Sequence, residues 1–280
     1  MTFHLRPATF INHVTLKVQD LDRALQFYQN VIGFKVLKKT DSEAKLTANG
    51  TSTLLTLVQP DPIFPKERRR TGLYHLAILL PSRKDLANWL KHALEHQTPL
   101  QGASDHRVSE AIYLADPDGN EIEIYRDRPS EDWLKNGEVS MDTLPLNAEE
   151  LLTHVSVDGW NGLPIETVLG HIHLHVDDIP KARDFYVNLL GFDVVMSYGS
   201  QALFLSTNQY HHHIGLNTWN GVGVSAPSEH SVGMQDFTIQ YPSKSSLGET
   251  IQRLGERVET LSGVTYTTDP AGNHIKLVSG

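Results

Sequence analysis

The sequence predicts an α+β fold built from four copies of one βαβββ module. Three observations predict it. The segment "HVTLKVQDLDRALQFYQNVIGFKV", His13 to Val36, lies over "HIHLHVDDIPKARDFYVNLLGFDV", His171 to Val194, at an offset of 158 residues, and self-similarity at a fixed offset marks a duplicated unit. Both copies read as a strand, a turn, an amphipathic helix, a glycine stop and a second strand. Each half of the chain then holds another such unit, one running from "GLYHLAILLP" to "DPDGNEIEIY" and one from "GMQDFTIQYP" to "DPAGNHIKLV".

The elements follow in order. The first two modules, 9–58 and 70–127, occupy residues 9–127. In the first, Val14, Leu16 and Val18 make an apolar strand, and Leu25, Tyr28 and Ile32 fall on one helical stripe that stops at Gly33. The second ends in a hairpin turned by Asp116-Pro117-Asp118-Gly119-Asn120. Residues 128–167 read as a linker with one short helical segment around "NAEELLTHV". The last two modules, 168–220 and 230–280, occupy residues 168–280, with Gly191 as the helix stop of the third.

Composition narrows the function. The formal net charge of −9 argues against a nucleic-acid backbone as partner, since that requires clustered Lys and Arg. The single basic run, Lys66 to Arg70, reads as a solvated loop. Cysteine is absent, which removes disulfides, thiolate chemistry and cysteine-ligated metal and fits a cytoplasmic setting. The first ten residues lack the layout of a signal peptide, and no apolar run is long enough for a membrane span. There are 15 histidines, so imidazole and carboxylate are the strong transition-metal ligands on offer.

These modules resemble the vicinal oxygen chelate family, which includes glyoxalases, fosfomycin-resistance proteins, bleomycin-binding proteins and extradiol ring-cleaving dioxygenases. The resemblance covers essentially the whole chain outside the linker. It implies that modules pair, their curved sheets forming two cups, and that first and last strands of a pair hold a divalent metal. The first-strand column contains His13, His75, His171 and Asp236, and the last-strand column contains Glu123 and Lys276. A protonated Lys276 cannot ligate a cation. Two histidines and one carboxylate with open positions suit non-haem Fe(II) and O₂ chemistry, with Mn(II) as the alternative ion.

The stretch "HRVSEAIYLADPDGNEIEIY" is similar to the signature of the extradiol dioxygenases. His106, Ile112-Tyr113, Asp116-Pro117, Gly119 and Glu123 fill its places in order. Ser104 departs from it, standing where the family has Gly, Asn, Thr or an aliphatic residue. A second family segment, with an acid–base histidine, matches "HHIGL" with His212 in the histidine place, in the last strand of the third module. Pairing modules one and two gives no acid–base histidine, and pairing three and four brings in Lys276. Pairing modules two and three assembles the complete set, with one and four left as a structural pair.

The resemblance therefore implies a catechol 2,3-cleaving (extradiol) dioxygenase that forms a 2-hydroxymuconic semialdehyde in aromatic hydrocarbon catabolism. His75, His171 and Glu123 are its metal ligands, with His13 as the alternative ligand. Tyr113 and His106 hydrogen-bond the bound substrate, and His212 takes and returns the proton of a catechol hydroxyl. The partners are a small-molecule catechol and O₂, with no nucleic acid and no membrane, and unpaired sheet edges allow a homo-oligomer. No glycine motif for a nicotinamide or flavin phosphate is present. A glyoxalase-like isomerase, lyase or transferase and a metal-free binding or resistance protein are the alternatives.

Other polar residues have plainer readings. His173 and His175 share the strand face of His171 by period two and line the cup or serve structure. His211 and His213 face away from His212, outside the pocket. Glu121 shares the face of Glu123, but the family spacing selects Glu123. His92 and His96, at i and i+4, belong to a solvated helix face.

Overall fold

Four strand–helix–strand units follow one another in the computed structural model, which describes residues 2–280. The first contains β1 (Phe10–Lys17), α1 (Leu21–Phe27), β2 (Lys35–Lys39), β3 (Glu43–Thr47) and β4 (Leu55–Val58). The second contains β5 (Gly72–Leu79), α2 (Arg83–Glu95), β6 (Leu100–Asp105), β7 (Ser109–Ala115) and β8 (Glu121–Asp127). The connecting stretch carries α3 (Ser130–Trp133), β9 (Leu134–Lys135), β10 (Glu138–Val139), β11 (Leu144–Pro145) and α4 (Ala148–Leu152). The third unit contains β12 (Val168–His175), α5 (Ile179–Arg183), β13 (Asp193–Tyr198), β14 (Ala202–Ser206) and β15 (Ile214–Asn217). The fourth contains β16 (Gly233–Tyr241), α6 (Lys244–Leu254), β17 (Glu259–Leu261), β18 (Val264–Thr268) and β19 (His274–Ser279).

Local chemistry starts and stops the helices. Asp20, Ser82, Asp178 and Ser243 cap α1, α2, α5 and α6, each side chain accepting a backbone N–H three residues on. Helices α1 and α5 each run into a π-helical turn, Tyr28–Ile32 and Asp184–Leu189, and Gly33 and Gly191 follow at φ 96° and 85°. The apolar strand and stripe expected in the first unit are buried throughout, including Val14, Leu16, Val18, Leu25, Tyr28 and Ile32. They belong to one large core that also takes in the inner faces of the other three units.

Two mixed sheets result. The eight-stranded one has the order β17-β18-β19-β16-β1-β4-β3-β2, joining the first unit to the fourth. The nine-stranded one has the order β11-β6-β7-β8-β5-β12-β15-β14-β13, joining the second unit to the third. The central seam is antiparallel in both: β1 against β16, and β12 against β5. Each seam has two bulges at matching places. The extra residues are Asn12 and Gln235 in one, and Gly170 and Tyr74 in the other. Across the units, the hydroxyl of Tyr28 donates to Asp116 at 3.0 Å and that of Tyr186 donates to Asp269 at 2.9 Å.

The linker is more structured than its single expected helix. Its helix forms as α4, but α3 and three two-residue strands accompany it. Strand β11 pairs with β6, and Trp133 is buried with Val108 and Tyr210. Those apolar contacts and ladder bonds depend on distant partners, so the local sequence does not announce them. Among the described residues no helix is long and apolar enough to cross a membrane.

Candidate metal centre and active site

The centre lies at the β5–β12 seam. On β8 alternate residues Glu121, Glu123, Tyr125 and Asp127 share one face. On β5 and β12, His75 and His171 face the same way, and β8 lies parallel beside β5 with Glu123 opposite Ala77. Three atoms converge: Nε2 of His75 and Oε2 of Glu123 are 3.1 Å apart, Nε2 of His171 and the same oxygen 3.3 Å, and the two Nε2 atoms 3.4 Å. The residues are only 6%, 2% and 2% exposed, so little water competes for them.

This donor set fits a divalent ion. Adjacent ligands on one cation, at bond lengths of roughly 2.1 Å, stand about 3 Å or slightly more apart. Burial holds the His171 imidazole at about 4, which leaves it neutral near pH 7 with a lone pair to give. Burial pushes the Glu123 carboxyl up, but the electrostatic influence of His171 and then the hydrogen bonds from His171 and His75 outweigh this and keep it well below the usual range. Oε1 of Glu123 and Nδ1 of His171 are buried without a partner among the described residues. The alternative ligand His13 is not in this group. It lies on β1 in the other sheet, its Nε2 2.8 Å from Oγ1 of Thr56.

Tyr113 and His106 come together. Tyr113 sits directly across from Glu123 in the β7–β8 ladder, and its hydroxyl is 2.6 Å from Nε2 of His106. Nδ1 of His106 donates to the Asp142 carbonyl at 3.0 Å, so Nε2 is the acceptor and the tyrosine hydroxyl donates. Burial raises Tyr113 above its ordinary pKa, so it is a neutral phenol. The ring of His212 lies against that of His171, with centroids 4.1 Å apart.

The placement of His212 corrects the sequence reading. It precedes β15, which begins at Ile214, and lies between bends at His211 and His213 rather than in a strand. The ladder's alternation therefore does not govern the three consecutive histidines. His211, expected outside the pocket, is fully buried with its Nδ1 2.9 Å from Nδ1 of His212. His213 does point away, donating from Nε2 to the carbonyl of Phe3.

Close backbone approaches shape the cup. A Cβ on Gly170 would stand 1.7 Å from the Tyr125 hydroxyl oxygen, and a Cβ on Gly215 would stand 2.8 Å from the ring of His173. His173 takes the space that Gly215 leaves, among His75, Tyr74, Phe204 and Trp219, with Nε2 buried and without a partner among the described residues. His175 bonds Asn217, and Glu121 lies outside the converging group. His92 and His96 stay on the α2 surface, with His92 donating to the Asn30 carbonyl. The basic loop is not wholly solvated. Lys66 donates to the Gly119 carbonyl at 2.7 Å, and the loop helps line a cavity of about 650 Å³ with Tyr74, His175 and Glu121.

A family model described as the Glyoxalase/Bleomycin resistance protein/Dioxygenase superfamily matches residues 10–124 and 168–277. The chain is 43% identical over 278 residues to the catechol-2,3-dioxygenase of Bacillus subtilis (strain 168), covering 96% of this chain and 97% of that one. Its fold is similar to a solved putative dioxygenase from Bacillus subtilis subsp. subtilis str. 168, with TM-score 0.62, 15% identity and coverage of 96% and 84%. It is also similar to glyoxalase I from Zea mays, with TM-score 0.61, 18% identity and coverage of 97% and 92%.

Proposed function

The chain belongs to the Glyoxalase/Bleomycin resistance protein/Dioxygenase superfamily, and on that premise we propose that it is an extradiol dioxygenase that opens a catechol beside its diol to give a 2-hydroxymuconic semialdehyde. The observation that carries the reading is the convergence of His75, His171 and Glu123 beside His212 and Tyr113. Those three would hold Fe(II), with Mn(II) the alternative. When bound there, such an ion would acidify a catechol hydroxyl and mediate electron transfer between catechol and O₂.

The rest falls to side chains. Neutral Tyr113, held by His106, presents its hydroxyl oxygen next to Glu123 and orients the substrate by hydrogen bonding. His212 takes the proton of the second hydroxyl and returns it later in the reaction. Phe204, Tyr74 and Trp219, set around His173 and His212, offer faces and edges to an aromatic ring. The burial of His212, 8% exposed, keeps bulk water from the transferred proton.

Oxygen uptake on adding catechol, with a yellow ring-fission product, tests the reaction. An O₂-indifferent activity would favour a glyoxalase-like isomerase, lyase or transferase. Glu123→Gln is expected to lose bound iron by metal analysis; retention of full iron would remove Glu123 from the ligand set.

A further inference from the structure

Three buried histidines, His211 to His213, precede β15, and the reading above uses only His212. We infer that Asp127 and His211 are positioning residues that dictate which ring nitrogen of His212 carries its hydrogen. The catalytic use of that nitrogen rests on the dioxygenase reading; the tautomer does not.

The chain of contacts begins on β8. Oδ1 of Asp127 is 2.8 Å from Nε2 of His211 and also accepts the Tyr210 hydroxyl at 3.0 Å. A carboxylate accepts and does not donate, so the hydrogen on this contact belongs to Nε2 of His211. In neutral His211 the other nitrogen, Nδ1, is then a bare lone pair. It lies 2.9 Å from Nδ1 of His212, so the hydrogen between the two rings belongs to His212. With Nδ1 protonated, Nε2 of His212 is left as an acceptor. The opposite tautomer would require His211 to be doubly protonated or Asp127 to be neutral.

Packing keeps the chain in register. The His211 ring lies tilted against Tyr210 at 3.9 Å and meets Trp133 at 5.5 Å, while His212 is held between His171 and Phe204. The proton balance is closed. One hydrogen moves from a substrate hydroxyl to Nε2 of His212 and later returns to product. His211 and Asp127 keep their protonation throughout, and the carboxylate stabilises the transient imidazolium through the intervening ring.

Two-bond nitrogen–proton correlation NMR on the metal-free full chain, labelled with ¹⁵N-histidine, reads the tautomer directly. His212 is expected with Nδ1 protonated and Nε2 bare. His211→Leu, which removes the acceptor, is expected to shift His212 toward the Nε2-protonated form. In the iron-loaded enzyme the same variant should lower kcat by about 10²-fold with little change in KM for catechol. His211→Asn, whose amide oxygen falls near the place of Nδ1, should recover most of that loss. Should His211→Leu not fold, Asp127→Asn keeps the histidine and its aromatic contacts and is expected to give a mixture of tautomers. An Nε2-protonated His212 in the wild type, or equal kcat losses in the Leu and Asn variants, overturns the inference. Absence of oxygen uptake by the wild type would sink the dioxygenase reading alone, since the spectrum still reports the tautomer.

Discussion

On the nine-stranded sheet, His171, His75 and Glu123 converge. At the corresponding places of the eight-stranded sheet stand His13, Asp236 and Lys276. The ladder registers make the match residue by residue: Thr238 opposes Lys276 as Ala77 opposes Glu123, and Thr15 opposes Asp236 as His173 opposes His75. In one sheet a carboxylate and two imidazoles are gathered as a donor set open to an added cation. In the other, the cation is a side chain of the chain itself: Nζ of Lys276 is 2.9 Å from Oδ1 of Asp236, which also accepts the Thr15 hydroxyl at 3.0 Å. The sizes trade as well. Where one sheet pairs His173 with Gly215, the other pairs Thr15 with Thr56. One backbone frame thus carries a candidate metal cradle or a self-neutralised scaffold, according to a few side chains.

Moving the lysine tests this first. Glu123→Lys should abolish metal uptake and bring oxygen consumption to background while the fold survives, as metal analysis and circular dichroism would show. Retained stoichiometric metal would mean that the two histidines suffice.

Acid should act on both sheets. Burial holds His4, beneath the nine-stranded sheet, and His13, on the eight-stranded one, at about 4, below their unfolded value near 6.5. Between those values the unfolded chain binds more protons, so stability is complete above about 6.5 and declines as pH falls toward 4. His4, 3% exposed, accounts for about 3 kcal/mol of that decline. Urea midpoints of the metal-free protein from pH 7 to pH 4 measure it, and a flat profile would contradict the buried neutral rings.

The matched bulges offer a paired experiment. Gly170→Ala drives a methyl into the Tyr125 hydroxyl and should destabilise by about 2–3 kcal/mol. Asn12→Ala at the equivalent bulge loses only one hydrogen bond, to Gln240, and should cost about 0.5–1.5 kcal/mol. Similar melting-temperature shifts for the two would deny that the centre's seam is the tighter one. Of similar size is Lys276→Met, which leaves Asp236 without its ammonium and should lower stability by about 1 kcal/mol or slightly more, with oxygen uptake preserved. A fall in uptake would show that the two sheets are functionally coupled.

What the sequence discloses follows from what is local or repeated. The duplicated segment, its caps and its glycine stops are short-range signals, and they mark out the βαβββ units. Aligning the units gives the columns in which His75, His171 and Glu123 stand, and those are the three residues whose donor atoms meet. Period two, by contrast, misplaces His211. It assumes a strand through 211–213, where the chain bends and each ring follows its own hydrogen bond. Bulges at Gly170 and Tyr74 likewise reset which residues face the cup, and no spacing rule announces them. The relay from Asp127 joins residues 84 apart in sequence, so it has no local signature.

Strand β8 places Glu123, Tyr125 and Asp127 in one row, with Glu121 at its outer end. Deleting a single residue at the turn before it would rotate that row through half a revolution relative to its neighbours. The proposed ion capture and proton handling would then disappear together, so this strand should admit substitutions far more readily than changes in its length.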